Sequence, residues 1–594
     1  MARKKLAKDK EFISTRGKPL PEGIKLEDLK HNFDTMISEY KTSLNRIKVL
    51  DMADTGKIWS VICKKFPEYQ IAPDTNYINY LKENIVASVY TVGKSASLLA
   101  RSEDDKDTVT KLNKVLEVIW GVLDVPAYQL KAGERAALTN LGITQVGWSS
   151  DITGGTHESW YKGDLVFKNI DPMNYGRDPY AEELDDAGWV IFHDQFHRST
   201  LMENKSYVEA LKEYKPDSMD RAESYQRDIG RNPNADSNYY HLVIHWVKHF
   251  DEDKDKVVIH EIHTIDNKYV LYVKEDIQPS IFPFAELHSN IPTKDPIGIS
   301  EPAKALSSVV VLNLLDGIMV SHAYKAQRPP RLISDKSGLN LRAFQKYGND
   351  PDKAFIVRGN ASDAVQYIQF PPLPQGLDNT AMRLSAAVER LSGIDGRYTG
   401  KDTGSILTTG GIDSMLAQAT MRDTTRIRLY EVYTRRLTRL VVQHLLEFAD
   451  KRKYTFKEPN QLNYQTVELD FPKIPEDMLF NYSIDISTEV PKSKAKLAAA
   501  ADAALEKQMQ YGGQPEIITV EEWLMYQDFP QKDLILERLK LDREAEMTEQ
   551  VTEILSMFAA LVEQGMDPQE AINVVVQQMQ AQQTPGGQGM PPGQ

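Results

Sequence analysis

The spacing of apolar residues divides the chain into blocks of different period. From about 28 to 145 the period is helical. Ile78–Leu99 (INYLKENIVASVYTVGKSASLL) repeats apolar residues every three or four positions. Lys111–Leu123 does the same through Leu112, Val115, Leu116 and Ile119. From about 143 to 290 the runs shorten and fill with β-branched and aromatic residues. Asp164–Ile170, Trp189–Phe192, Tyr240–Val247, Val257–Thr264 and Tyr269–Val273 are predicted strands separated by turn residues, with a helical insertion over about 198–230.

The pattern changes again at Ser300. Ser300 is a predicted N-cap and Pro302 sits in the first turn, where a missing N–H costs little. The predicted helix runs to about Gln327 and ends before Pro329 and Pro330. At 1.5 Å per residue it would be about 40 Å long. Between Ala305 and Ala323 its one formal charge is Asp316, and Ser307, Ser308, Gly317 and Ser321 supply small side chains. A helix apolar on nearly every side has to be covered on every side. The neighbours belong either to its own chain, as in a large monomer, or to other copies.

Residues 331–373 read as a small separate unit, with Ala354–Val357 and Val365–Phe370 as strands and PPLP (371–374) closing it. A second helix is predicted over Leu377–Leu391, with Asp378 as N-cap and Gly393 and Gly396 ending it. The loop 395–412, DGRYTGKDTGSILTTGGI, is glycine-rich and predicted to be mobile. From Asp413 to about Lys453 one long helix is predicted, with an apolar stripe through Leu416, Ala419, Ile427, Tyr430, Leu437, Val441 and Leu445. Arg422, Arg426, Arg428, Arg435, Arg436 and Arg439 make it basic. A β-like stretch (464–490) and helices to about 580 follow, then a low-complexity end, QQTPGGQGMPPGQ, with the composition of a disordered tail.

Composition sharpens the picture. The chain has 594 residues, 41% apolar and 26% charged, which suits several folded domains of α+β class. The net charge of −14 argues against a protein that grips nucleic-acid phosphates. Cys63 is the only cysteine, so no intrachain disulfide forms, and it reads as a small buried residue. The N-terminal MARKKLAKDK is basic but leads into no apolar core, so it does not read as a secretory signal. Val309–Val320 is too short to span a bilayer and carries Asn313 and Asp316, which points to a soluble protein.

The search for catalytic chemistry returns little. VGKSAS (92–97) has Ser88 where a phosphate loop needs its leading glycine, and GKDTGS (400–405) has Asp402 after its lysine. His193 and His197 in HDQFH would share a helix face suited to zinc, but the run follows WVIF and reads as a strand end, without the glutamate of H-E-x-x-H. The acidic runs Glu103–Asp105, Glu182–Asp186 and Asp251–Asp255 do not follow the calcium-loop pattern and read as solvated loops. No cofactor or metal site is expected. A metal-dependent nucleic-acid hydrolase using His193 and His197 remains the alternative enzyme reading.

The order of elements over 300–412 resembles that of tailed-bacteriophage portal proteins. The wording resembles it too, in PIGISEPAKALSSVVVLNLLDGIMVSHAYKAQRPPRLI (296–333). IDPMNYGRDPYAEELDDAGWVIFHDQF (170–196) is similar to a segment of portals from short-tailed phages. The resemblance covers most of 40–490. It implies a portal fold: a flexible basic arm (1–30), a mixed α/β wing (31–299), a stem helix (300–330) and a small clip (331–373). After these come a stem return helix (374–394), a tunnel loop (395–412), a wing helix and β segment (413–492), a helical crown (493–580) and a disordered tail (581–594). It implies a non-enzymatic ring of twelve subunits at one capsid vertex of the virion, assembled in the host cytoplasm. Such a ring conducts double-stranded DNA during packaging and ejection. Its implied partners are the terminase, then head–tail adaptor or tail proteins, and the major capsid and scaffolding proteins; no membrane is involved. In such a ring an acidic wall lets DNA slide, and Arg397, Lys401, Lys325, Arg328 and Arg331 become candidates for cations facing the channel. Otherwise they are surface cations or intersubunit ion pairs. A head–tail adaptor or internal scaffold is the other structural reading, although the chain is long for the first and strand-rich for the second.

Overall fold

A computed structural model describes residues 17–58, 75–91, 95–103, 105–156, 159–214, 239–252, 254–293, 295–327, 331–348, 352–368, 376–392, 409–457, 464–474, 480–483 and 501–508, with single positions elsewhere. The chain divides into two compact units. One holds residues up to Lys453 and 468–490; the other holds 454–467 and 491–594.

The first unit opens with α1 (Leu26–Asp54), whose Leu29, Phe33, Met36, Tyr40, Ile47 and Leu50 recur at helical spacing and are all buried. Next come α2 (Tyr77–Ile85), a π turn (Val86–Tyr90), β1 (Ser97–Ala100), α3 (Lys106–Val122) and α4 (Val125–Thr139). The expected helix over Ile78–Leu99 therefore stops early. Gly93 lies so close to Pro126 that a Cβ there would sit 2.5 Å from its side chain, and Leu98 exchanges backbone hydrogen bonds with the Asn113 side chain at 2.8 and 2.9 Å. Apolar spacing over four residues does not separate a strand from a helical turn.

The predicted strand block is present. β2 (Leu141–Thr156), β3 (Ser159–Ile170) and β9 (Phe284–His288) form an antiparallel sheet in the order β3-β2-β9. β4 (Tyr175–Arg177), β5 (Trp189–His197), β6 (Tyr239–Asp251), β7 (Lys256–Ile265) and β8 (Tyr269–Lys274) form a five-stranded one in chain order. α5 (Arg198–Glu203) and α6 (Lys205–Glu213) occupy the described part of the insertion. The main core lies among the two sheets and α1. Ile143, Ile170, Trp189, Ile191, Val243, Trp246, Phe282 and Phe284 are buried together with Met36 and Tyr40.

A polar network sits inside that core. Glu286 accepts from the Tyr175 hydroxyl at 2.7 Å, with Arg177 Nε at 3.5 Å and His288 Nε2 at 3.6 Å. Burial alone would raise its pKa. The His288, Arg177 and Tyr175 contacts together outweigh burial and hold it at about 2. Arg177 also donates to the Ala181 and Glu182 carbonyls, and its own carbonyl accepts from Tyr40.

Beyond β9 come α7 (Glu301–Gln327), β10 (Arg331–Ile333), α8 (Leu341–Tyr347), α9 (Ala361–Ala364), β11 (Val365–Tyr367), α10 (Gly376–Ser392) and α11 (Thr409–Phe448). β12 (Arg452–Lys457) pairs with β13 (Tyr464–Leu469), and β14 (Phe480–Ser483) returns to pair with β1. The small unit over 331–367 differs from expectation in its pairing. Arg331–Ile333 pairs with Val365–Tyr367, whereas Ala354–Val357 joins no sheet and Ile356 is 94% exposed. α10 begins at Gly376, so Asp378 lies in its first turn rather than capping it. α11 starts at Thr409, taking up the last residues of the predicted loop. Cys63 and residues 215–230 of the insertion fall outside the described residues.

In the second unit, 501–508 are helical, and the Trp523 indole donates to Asp502 Oδ1 at 2.7 Å.

The Glu286 carboxyl has a folded pKa of about 2 against an ordinary 4.5. Its contribution is complete above pH 4.5 and is lost as pH falls toward 2. The difference corresponds to about 3 kcal/mol. Urea unfolding of the parent and Glu286→Gln across pH 2–7 is expected to show the variant less stable by about that amount at pH 7. The two should converge below pH 2.5; a constant offset would contradict the assignment.

Candidate functional site

α7 is the feature that composition alone made unusual, and its root is built from polar contacts. Ser300 Oγ accepts from the Ala303 N–H at 3.2 Å, which is the predicted cap, and donates to the Leu138 carbonyl at 2.6 Å. Asn140 ends α4 in the left-handed region at φ 78°. Its side chain donates to the Asn290 and Ile297 carbonyls at 3.0 and 2.8 Å and accepts from the Asn290 N–H at 2.7 Å. Gly298, at φ +81°, passes so close that a Cβ would sit 2.4 Å from the Asn140 amide nitrogen. From the other side, Ser43 and Arg46 of α1 hold Asp295 at 2.6 and 2.5 Å, and Arg46 also bonds the Gly298 carbonyl at 2.7 Å. The segment leading into α7 is thus clamped by two helices.

The base of α7 is packed. Ala305 and Val309 are buried with Leu50, Ala53, Ile78, Leu81, Leu138 and, from α10, Val388, and Leu312 is buried a turn further on. Buried positions run 301, 302, 305, 309, 312, 313 and 317 and then stop, so beyond the first turn a single stripe is fully covered. Val311 (44%), Val320 (37%) and Tyr324 (47%) are exposed, as is Met382 (72%) on α10. Glu301–Ala326 is long and apolar enough to cross a membrane by length and composition, beyond the twelve residues considered from sequence, and only 28% of its most apolar stretch is buried. Asp316 is half-buried, and burial raises its pKa.

The sequence-derived cations separate. Lys325 is exposed near the end of α7. Arg331 is half-buried in β10, with its guanidinium 5.1 Å from the Phe344 ring centre and 5.6 Å from that of Tyr367, so it packs within the small unit. Arg328, Arg397 and Lys401 lie outside the described residues. Part of the basic character of α11 is spent internally. Arg436 donates to the Phe284 carbonyl at 2.6 Å and pairs with Asp185 at 2.9 Å, with Arg439 at 4.0 Å from the same carboxylate. Arg435 lies 3.8 Å from Glu431. Arg426 is buried, 2.9 Å from Asp423 and 3.5 Å from Glu301.

That Glu301–Arg426–Asp423 cluster joins the first turn of α7 to α11, and sequence reasoning missed it. The available signal was Glu301 itself, a charge opening an otherwise apolar helix.

The two histidines of the enzyme reading are not brought together. His193 packs edge-on against Phe33 and His241 at 5.4 and 5.5 Å between ring centres. His197 accepts from the Ser199 N–H and starts α5. Four residues apart on one strand they stand about 13 Å apart, too far to share a metal. Among the described residues no group of three or more side chains is placed to hold a metal ion. In the first phosphate-loop-like run, the Ala96 N–H is already bonded to Thr438 Oγ1 at 2.9 Å; the second run lies outside the described residues.

A family model described as the phage SU10 portal protein matches residues 153–584, which span β3 to α11 and continue into the second unit. No curated protein matches the chain. The match takes in the clamped helix, the small unit, the return helix and the long basic helix, and on that extent the chain belongs to the phage portal proteins.

Proposed function

We propose that this portal protein forms a ring, of twelve subunits by family likeness, at one vertex of the phage capsid, and that DNA passes through the ring during packaging and ejection. The observation that carries the reading is α7. It is apolar on nearly every side, yet its own chain covers one stripe near the base. Leaving such a surface in water is unfavourable by about 25 cal/mol per Å². Neighbouring copies of the same helix would cover it, and Ser307, Ser308 and Ser321 would let the helices approach closely.

The remaining parts follow as one reading. Residues 331–373 serve as the clip that meets the terminase and then the adaptor or tail proteins, and residues 395–412 as the tunnel loop. Residues 493–580 form the crown, and the wing faces the capsid and scaffolding proteins. Twelve chains of −14 would carry about −168, a field that repels phosphate and lets DNA slide. Lys325, Arg328, Arg397 and Lys401 are the cations that would guide it. Arg331 has the weaker claim, because it is already stacked on two rings.

The purified chain should give ring-shaped particles by negative-stain microscopy and a mass near twelve subunits by mass photometry. Val311→Lys and Val320→Glu place charges on positions already exposed in the single chain, so each should fold with an unchanged circular dichroism spectrum. Each should weaken assembly by about 100-fold or more, since a buried unpaired charge costs several kcal/mol. Unaltered ring formation by both variants would sink the proposal. Partitioning of the parent into detergent or vesicles without rings would turn the helix into a membrane segment instead.

A further inference from the structure

α7 and α10 lie side by side and carry different chemistry on their outer faces. α10 packs along α7, and Val388, near its end, is buried with Ala305 and Val309, near the start of α7, so the two helices run antiparallel. At 100° per residue, Asp316, Val320, Ala323 and Tyr324 share one side of α7. Val320, Ala323 and Tyr324 are exposed, whereas Leu314, Ile318 and Ser321, on the opposite side, are half-buried. On α10, Leu377, Ala381, Leu384 and Val388 share the more buried side, and Asn379, Met382 and Arg383 the exposed one. The helix pair therefore has a free face on α7 and another on α10, turned away from each other.

Each free face holds one charge of opposite sign. Asp316 is the charge on the α7 face and Arg383 the charge on the α10 face. Neither makes an ion pair among the described residues. A surface that is acidic at one point and a surface that is basic at one point, on opposite sides of the same helix pair, suit a head-to-tail contact. Such contacts close into rings when the rotation allows, whereas a two-fold dimer joins like to like.

The two charges also agree in height. Subunits of a closed ring are related by rotation alone, so groups that meet stand at the same level along the axis. For helices running along that axis, with Val388 level with Ala305–Val309, Arg383 lies about 7.5 Å above Val388 and Asp316 about 10–17 Å above it. Every Cα–Cβ bond tilts toward the N-terminus of its own helix. In this antiparallel pair Asp316 leans toward the root and Arg383 leans away from it, so the side chains converge across the remaining gap of about 3–9 Å. The other cations fit less well. Lys304 is held by Glu301 at 3.2 Å. Lys325 stands about 13 Å above Asp316, on the other side of α7, and Arg390 lies two residues past Val388, at the root.

We propose that in the ring Arg383 of each subunit pairs with Asp316 of the next, seating the free face of α10 on the free face of α7. The pair rests on the ring reading and names the contact that completes it. The neighbour's α10 thus joins its α7 in covering this helix. Apolar surfaces slide over one another at little cost, and a charge pair between them fixes their register.

The test reverses the charges in the full chain and follows assembly by mass photometry. Asp316→Arg and Arg383→Asp each set like charges opposite one another. Each should raise the concentration needed for rings about 100-fold or more, with thermal unfolding unchanged. The double reversal, Asp316→Arg with Arg383→Asp, should return that concentration to within about threefold of the parent. Single reversals that assemble like the parent, or a double reversal that folds and does not assemble, would overturn the pair while leaving the parent's rings standing. Absence of rings from the parent would remove the ring reading and the pair together. Cys63 is the only native cysteine, so a Cys63→Ser, Asp316→Cys, Arg383→Cys variant gives a second measurement that does not rely on the reversed charges. A short bismaleimide should join its chains into a ladder of covalent multimers. Crosslinks confined to single chains in assembled rings would overturn the proposal.

Discussion

The first unit depends on how a nearly all-apolar helix is anchored to a polar root. α7 gains little orientation from its own surface, because a surface apolar on every side fits a core in many rotations. The direction is set before the helix begins. Asn140, Ser300 and the Ser43–Arg46–Asp295 contacts fix the backbone of 289–300 against α4 and α1. Hydrogen bonds of this kind are modest in net energy but costly to leave unmade in a buried place. They discriminate between orientations that hydrophobic packing would treat alike. Glu301 extends the principle by one turn, tying the start of α7 to Arg426 of α11.

Charge in this protein is partitioned in a way that net composition hides. Arg436 and Arg426 hold carbonyls and carboxylates inside the fold, so α11 offers less free positive charge than its six arginines between 422 and 439 suggest, and Arg452 of β12 likewise bonds the Gly163 carbonyl. The same pairs engage Asp185, Asp423 and Glu301, so the acidic surplus is unchanged while the cations are held in place. A protein proposed to let DNA slide benefits from that arrangement. Cations buried in structural bonds are unavailable to phosphate.

What was legible in the sequence was whatever repeats over a long span. The strand block, α7 with its cap at Ser300, α10 and α11 each carry many residues of consistent period, and the structure contains all of them. Short pieces were not legible. Ser97–Ala100 continues the apolar spacing of α2 yet joins a strand nearly four hundred residues away. Ala354–Val357 has the composition of a strand but pairs with none among the described residues, because pairing is decided by position in space. The polar root was invisible for the same reason: Asn140 and Asn290 are ordinary residues until the fold places one beside the other. Of the five cations singled out, Arg331 shows the limit most clearly. A lone arginine after two prolines does not reveal that Phe344 and Tyr367 will flank it.

Asp316 shows how far the single chain is from a finished environment. It is the only formal charge in the middle of α7, and burial by its own chain already raises its pKa. Closing further apolar helices around it would remove more water and raise it further, at a cost that grows steeply for an unpaired carboxylate. A ring therefore constrains this position in one of two ways. A neighbouring subunit places a donor or cation beside Asp316, or Asp316 faces a wet channel while Val311 and Val320 turn toward neighbours. At 100° per residue, Asp316 stands about 140° from Val311 and about 40° from Val320 around the helix. The second arrangement asks one helix face to serve water and an apolar neighbour within 40°, which leaves a donor or cation from the adjacent subunit as the arrangement with less internal conflict.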